Sequence, residues 1–177
     1  MELHTEREEA LYTMLQRVLH NHVHTHGLSY DETVGVCVSV LGYVLYVMID
    51  SWAQAPALIA ETLAELRQRT HRRLQQESPA PTLFQDYTPR PALSPHYHEL
   101  GTALATFLAT AGLEHNMTVA ATWRVCLALV ADVLAMPVHD DEKTPAEVDA
   151  SIDTLRDQLP VVMHLWDDEA GADPAEA

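Results

Sequence analysis

The stretch TVGVCVSVLGYVLYVMI, residues 33–49, decides the fold class, because its pattern fits either a strand or a helix. It is rich in β-branched residues, and valines recur at alternate positions from Val34 to Val40, as they would in a strand. A second stretch, TVAATWRVCLALVADVLAM at residues 118–136, begins with the same Thr-Val pair, and its alanine and leucine content favours a helix. We therefore predict that both stretches are helices and that the chain is all-α.

The two stretches belong to an internal repeat. THGLSYDETVGV, residues 25–36, matches TAGLEHNMTVAA, residues 110–121, at a displacement of 85 positions. PALIAETLAELRQ, residues 56–68, matches PAEVDASIDTLRD, residues 145–157, at a displacement of 89. The difference of four residues is about one helical turn. The sequence therefore predicts two tandem three-helix repeats, related by a pseudo-two-fold axis and packed as a bundle of about six helices.

The repeats set the predicted boundaries within one compact domain. The first repeat covers residues 1–76 and the second covers residues 96–166. Residues 77–95 between them contain five of the ten prolines, which is typical of an extended connector. Pro160 is expected to end or kink the last helix. Residues 167–177 are acidic and are predicted to form a disordered tail.

Capping signals predict where several of these helices begin. The pairs Ser29–Glu32 and Thr144–Glu147 have the spacing of a capping box, in which each residue hydrogen-bonds to the backbone of the other. Pro56 and Pro145 are placed where the third helix of each repeat begins, and proline is tolerated in a first helical turn.

The apolar stretch at residues 33–49 has no charged residue and reaches the lower limit of length for a membrane span. The matching stretch carries Arg124 and Asp132, however, and this favours a central helix buried on most sides. The charged N-terminus lacks the apolar segment of a signal peptide. Cys37 and Cys126 lie in apolar stretches, as reduced core thiols do. We expect a cytoplasmic protein.

The net charge of −16 argues against direct binding to nucleic acid or to an anionic membrane, since both require a basic surface. Residues 91–177 hold 15 acidic residues against 3 basic ones. The basic residues of the first half cluster at positions 67–73. The charge distribution therefore favours a protein partner with a basic surface.

Asp149, Asp153 and Asp157 are spaced by four residues, which on a helix makes a carboxylate ridge with steps of about 6 Å. Asp140 and Asp141 precede the ridge. Such a ridge can imitate a nucleic-acid backbone and occupy a basic cleft, so we predict that these five residues bind a partner. The simpler alternative is the solvated face of a surface helix, partly offset by the arginine cluster.

The stretch LHNHVHTHG, residues 19–27, places four histidines at alternate positions. On a helix they separate into two pairs, and His22 and His26 fall on the apolar face. A histidine pair one turn apart can bind zinc or another divalent transition metal. The additional ligands it needs could come from the following residues: Asp31, Glu32, His96 or His98. The alternatives are a hydrogen-bonded core histidine at a solvated helix end and a pH-responsive contact.

The sequence contains no recognisable catalytic nucleophile set and no glycine-rich phosphate loop, so no residue is assigned a catalytic role and no cofactor is expected. We expect a non-catalytic protein that binds another protein, as an inhibitor, immunity-type factor, adaptor or maturation chaperone. A homodimer is also compatible with the apolar central helix. One alternative is a helical metal-dependent protein or hydrolase that uses His22 and His26. Another is a regulator that binds an apolar ligand between the repeats, near Trp52 and Trp123.

Overall fold

The structure, a computed structural model, describes residues 5–76, 96–114, 117–137 and 143–171. Within those ranges there is no strand, and the all-α prediction is confirmed. The predicted connector at residues 77–95 lies outside the described residues. The helices are α1 Glu6–His26, α2 Tyr30–Met48, α3 Ala55–Leu74, α4 His96–Glu114, α5 Val119–Ala135 and α6 Pro145–Gly171, with a short 3-10 helix at Trp52–Gln54.

Both predicted capping boxes are present. The backbone N–H of Ser29 donates to the Glu32 carboxylate over 2.8 Å, and the Ser29 hydroxyl accepts from the Glu32 N–H. Thr144 and Glu147 exchange the same two bonds at the start of α6. These bonds satisfy backbone donors that the first helical turn leaves without a partner.

The start of α5 changes the register of the sequence match. Thr118 caps α5 by accepting from the N–H of Ala121, just as Ser29 caps α2. The two caps are therefore 89 positions apart, the same displacement that separates Pro56 from Pro145. The displacement of 85 pairs Thr118 instead with Thr33, which lies inside α2 and is not its cap.

Helices α2 and α5 form the centre of the bundle. Helix α2 packs against α4, α5 and α6, and α5 packs against α1, α2 and α3. Of the described helices, α2 is the one long and apolar enough to cross a membrane by length and composition, and 56% of its apolar window is buried inside the protein. This packing agrees with the prediction of a central helix.

Helix α6 runs through Pro160 without ending there, so the predicted helix end is wrong, whereas a kink at Pro160 stays a prediction. Proline removes one backbone hydrogen bond, but Leu159 on one side of it and Met163 on the other are both fully buried in the core. Burying two such side chains contributes about 3–6 kcal/mol, which is enough to hold both halves of the helix against α2. Packing therefore outweighs the local preference of proline.

The predicted disordered tail begins too early. Residues 167–171 belong to α6, and the Trp52 indole N–H donates to the Asp167 carboxylate over 3.3 Å. This contact ties the end of α6 to the 3-10 helix. Residues 172–177 lie outside the described residues.

The two predicted core thiols, Cys37 and Cys126, are buried and unpaired. Burial raises the pKa of the Cys37 thiol to about 12 and also raises that of Cys126. Neither thiol therefore ionises near neutral pH, so neither has the thiolate that nucleophilic chemistry requires.

Helices α2 and α6 lie close together at Gly42, and this predicts that alanine there lowers the stability instead of raising it. A Cβ at position 42 would lie 2.5 Å from Cγ1 of Val162, a stiff β-branched side chain. We expect Gly42→Ala to lower the free energy of unfolding by about 1 kcal/mol, because overpacking costs more than the roughly 1 kcal/mol of helix propensity that alanine adds. Urea denaturation measures the change.

Gly101 in α4 is the matched control, because a Cβ there meets nothing within 4 Å. Gly101→Ala should raise the free energy of unfolding by about 0.5–1 kcal/mol. Adding Val162→Ala to Gly42→Ala should relieve the clash and recover stability. Equal stabilisation by both glycine substitutions would contradict the close contact of α2 with α6.

Candidate functional site

Arg67 of α3 binds two of the three carboxylates of the predicted acidic ridge. Its Nε donates to Asp149 over 2.8 Å, and its Nη2 donates to Asp153 over 2.9 Å. His71 Nε2 lies 3.0 Å from the same Asp149 oxygen. The hydrogen bond to Asp149 is the main cause of a raised pKa at Arg67. The negative charge at this end of the ridge is therefore partly neutralised by α3. This agrees with the alternative that the ridge is a solvated helix face partly offset by the arginine cluster.

Asp157 differs from the other two ridge residues. It is exposed, and no hydrogen bond or ion pair joins it to another described residue. Val161 and Leu165 follow it at steps of four residues, and they are 59% and 57% exposed, the highest values among the large hydrophobic side chains described. Since side chains four positions apart share a helix face, Asp153, Asp157, Val161 and Leu165 form one continuous strip. We call these four residues the α6 outer face.

Contacts on the other side of α6 fix its rotation. The Trp166 indole N–H donates to the backbone oxygen of Ser39 in α2 over 3.1 Å. The ring of Trp52 stacks on His164, with centroids 3.9 Å apart and planes 22° apart. These contacts hold the C-terminal half of α6 against the bundle and leave Val161 and Leu165 pointing outward.

Two acidic residues predicted to belong to the partner-binding surface, Asp140 and Asp141, lie outside the described residues. Their contribution stays a prediction.

The four histidines of α1 form two pairs, as their spacing predicts. The rings of His20 and His24 have centroids 4.3 Å apart, and those of His22 and His26 are 5.3 Å apart. The second pair is half-buried, whereas the first is exposed. His22 Nδ1 also lies 3.3 Å from the backbone oxygen of Val18, within hydrogen-bonding reach.

A metal at His22 and His26 needs further ligands. In the described part of the chain, no group of three or more His, Cys, Asp or Glu side chains could hold a metal ion. Glu32, one of the suggested ligands, is engaged in its capping box. The metal site stays a prediction.

Two buried ionic contacts escaped the sequence analysis. The Asp132 carboxylate accepts a hydrogen bond from the Tyr12 hydroxyl, and Arg73 Nε lies 3.1 Å from its other oxygen. Burial raises the pKa of Asp132, and the Tyr12 hydrogen bond and Arg73 oppose that rise. Glu8 of α1, only 1% exposed, accepts two hydrogen bonds from the Arg124 guanidinium, one of them 3.0 Å long. These contacts join α5 to α1 and α3 and have a structural role.

An apolar crevice of about 350 Å³ lies between α2, α4 and the start of α5. Val47, Leu108 and Val119 line it, and the hydroxyl groups of Tyr43 and Thr122 are the polar side-chain groups among its lining residues. We call this the apolar crevice. It does not lie where an apolar ligand was expected, because neither Trp52 nor Trp123 lines it.

A second crevice, of about 310 Å³, lies between α1 and α5. Its lining includes charged and polar side chains, among them Gln16, Arg17, His20, Asn21 and Asp132. We call this the polar crevice. Leu19, Leu129, Val133 and Met136 also line it, so the two crevices have similar volumes and both have apolar walls, and they differ in the charged side chains that line the second.

Comparison with family models, with curated proteins and with solved structures found no match.

Proposed function

We propose that this protein acts without catalysis, by binding another protein through the α6 outer face. The observation that carries the proposal is the exposure of Val161 and Leu165 directly beside Asp157, a carboxylate without a partner in the described residues. Apolar side chains at a well-packed centre with charge at the rim are the usual composition of a protein interface. Inhibitor, immunity-type factor, adaptor and maturation chaperone are all roles that such a surface can serve.

The partner that fits this surface is a basic amphipathic helix. Such a helix would place apolar side chains against Val161 and Leu165 and a Lys or Arg against Asp157. The net charge of −16 draws a basic partner toward the protein and repels an acidic one. A basic surface that otherwise holds nucleic acid has this chemistry, so blocking such a surface is part of the proposal.

This proposal narrows the one made from the sequence. Arg67 donates hydrogen bonds to both Asp149 and Asp153, so the proposal assigns these two carboxylates mainly to the contact between α3 and α6. Asp157 keeps its predicted role, and the two apolar residues after it supply the contact area that a row of carboxylates lacks.

We also propose that the six helices are two three-helix repeats related by a pseudo-two-fold axis. In such a pair of repeats, α1, α2 and α3 correspond to α4, α5 and α6. The packing of α2 against α4 then corresponds to the packing of α5 against α1. The packing of α2 against α6 likewise corresponds to the packing of α5 against α3. Several buried residues of the first repeat also have a buried counterpart 89 positions later in the second repeat, and some of these pairs line the two crevices. The supporting pairs are Cys37 and Cys126, Ile59 and Val148, Leu66 and Leu155, Leu19 and Leu108, and Val44 and Val133.

Charge reversal at two positions of the ridge tests the proposed function. We expect Asp157→Arg to reduce capture of the partner from an extract of the source cells about tenfold, mainly by slowing association, without changing the circular dichroism spectrum. Asp149→Arg is the matched control. It should lower the melting temperature, because it faces Arg67 and His71, but it should leave capture by the folded protein unchanged.

Raising the salt concentration should weaken capture by the wild-type protein and have less effect on Asp157→Arg, because salt screens exposed charges. Capture by Asp157→Arg at the wild-type level would remove Asp157 from the interface. Equal losses for Asp157→Arg and Asp149→Arg would show that the charge effect is not specific to the α6 outer face.

A further inference from the structure

The apolar crevice is an exposed hydrophobic site, and none of the four residues of the α6 outer face lines it. Val47 of α2 and Val119 of α5 both line it and are 47% and 40% exposed, although both are large and apolar. Leu108 of α4, which also lines it, is buried. An exposed apolar concavity of this kind costs free energy in water unless something covers it.

The dimensions of the crevice favour a small molecule over a protein. A protein interface uses about 20–30 residues on each side, whereas eight of the described residues line this crevice. A dry cavity of about 150 Å³ is known to hold one benzene molecule, so about 350 Å³ suits a molecule of roughly two aromatic rings. The occupant that fits is therefore of ligand size.

The lining also indicates the charge of the ligand. None of the described residues that line the crevice is charged, and burying an unpaired charge there would be unfavourable. The net charge of −16 further disfavours an anion such as a fatty acid. The lining and the net charge therefore both favour a neutral ligand.

Tyr43 provides one polar contact for such a ligand. Its ring packs against Trp166, with centroids 5.0 Å apart, which holds it in place. Its hydroxyl makes no hydrogen bond to another described residue. The hydroxyl can therefore donate to, or accept from, one polar atom of a bound molecule.

The polar crevice offers a comparison within the same molecule. At a displacement of 89, Tyr43 corresponds to Asp132 and Ala109 corresponds to His20. The Asp132 carboxylate is already bound to Tyr12 and lies beside Arg73. The polar crevice has apolar walls too, but its charged side chains should make it the weaker of the two sites for a neutral molecule.

We propose that the apolar crevice binds one neutral, largely apolar small molecule of about two aromatic rings, with one polar atom hydrogen-bonded to Tyr43. This site is separate from the α6 outer face, so either proposal can fail without the other.

The test uses 6-propionyl-2-(dimethylamino)naphthalene, a neutral two-ring probe whose carbonyl oxygen can accept a hydrogen bond from Tyr43 and whose fluorescence shifts to the blue and rises in apolar surroundings. We expect saturable binding of one probe per chain to the full-length protein. Ala109→Trp should weaken binding at least tenfold, because the exposed Ala109 lines the crevice and an indole there fills it. His20→Trp is the matched control, because it adds the same ring to the polar crevice and should leave binding unchanged.

Val47→Gln is a second variant, and it is expected to fold because Val47 is half exposed. It should weaken probe binding because it places a polar side chain in the lining of the crevice. The proposal is overturned if the wild-type protein shows no saturable binding. It is also overturned if Ala109→Trp and Val47→Gln bind the probe as the wild type does, or if His20→Trp loses binding as fully as Ala109→Trp.

Discussion

Replacing Arg124 by Met is expected to lower the free energy of unfolding by about 3 kcal/mol. Glu8, which accepts hydrogen bonds from the Arg124 guanidinium, is only 1% exposed, and the Arg124 side chain is 26% exposed. Removing one partner of a buried ion pair typically costs 3–5 kcal/mol, because the other charge is left in a medium of low dielectric constant. Small domains are stable by roughly 5–15 kcal/mol in total, so the loss should be large in a urea or thermal denaturation experiment.

Arg156→Met is the matched control for this prediction. Arg156 makes the same kind of contact, with Asp153 at 3.6 Å, but its side chain is 67% exposed, and such surface pairs contribute about 0–1 kcal/mol. Adding Glu8→Leu to Arg124→Met should recover much of the lost stability, because an apolar pair can replace a buried ion pair. A loss at Arg124 no larger than that at Arg156 would contradict the buried contact between α1 and α5.

Replacing both Val161 and Leu165 by Ser is expected to reduce the affinity for the partner about a hundredfold. Both side chains are more than half exposed in the unbound protein, and covering the exposed part of each should contribute about 1–1.5 kcal/mol. The sum of 2–3 kcal/mol corresponds to roughly a factor of one hundred in the dissociation constant. The substitutions do not touch the core, so the melting temperature should change little.

Val47→Ser with Val119→Ser is the matched control, because it removes the other exposed valines of the described residues and leaves α6 unchanged. That variant should capture the partner normally. If it loses capture while the α6 variant retains it, the interface is the apolar crevice and not the α6 outer face. Sedimentation of the wild-type protein and the α6 variant checks self-association, and a dimer lost in the variant would assign this face to a second copy of the chain.

The sequence predicts most of the fold because the signals are local. The helix starts at Ser29 and Thr144 follow from side chains three residues apart, and the all-α class follows from the alanine and leucine of residues 118–136. The sequence-based predictions are wrong where contacts between residues far apart in the sequence determine the local structure. Pro160 looked like a helix end because its local preference is clear, whereas the burial of Met163 beyond it depends on the position of α2.

The candidate site is harder to predict from sequence for the same reason. The spacing of the ridge carboxylates was visible, but the partner of Asp149 is Arg67, 82 positions away. The sequence analysis assigned no role to Val161 and Leu165, because their exposure depends on the rotation of α6, which Trp166 fixes through Ser39, 127 positions away. Arg124 and Asp132 stood out in an apolar stretch, yet their partners, Glu8 and Tyr12, are more than a hundred positions away.

Site-specific photo-crosslinking tests the central claim most directly. A benzophenone amino acid is placed at Leu165 on the α6 outer face and, as a control, at Met14, which is exposed on α1. Each protein is irradiated in an extract of the source cells, and the crosslinked peptides are identified by mass spectrometry. The account predicts that Leu165 crosslinks to a basic amphipathic segment of one protein and that Met14 does not. The same peptides from both positions, or an acidic segment at Leu165, would contradict it.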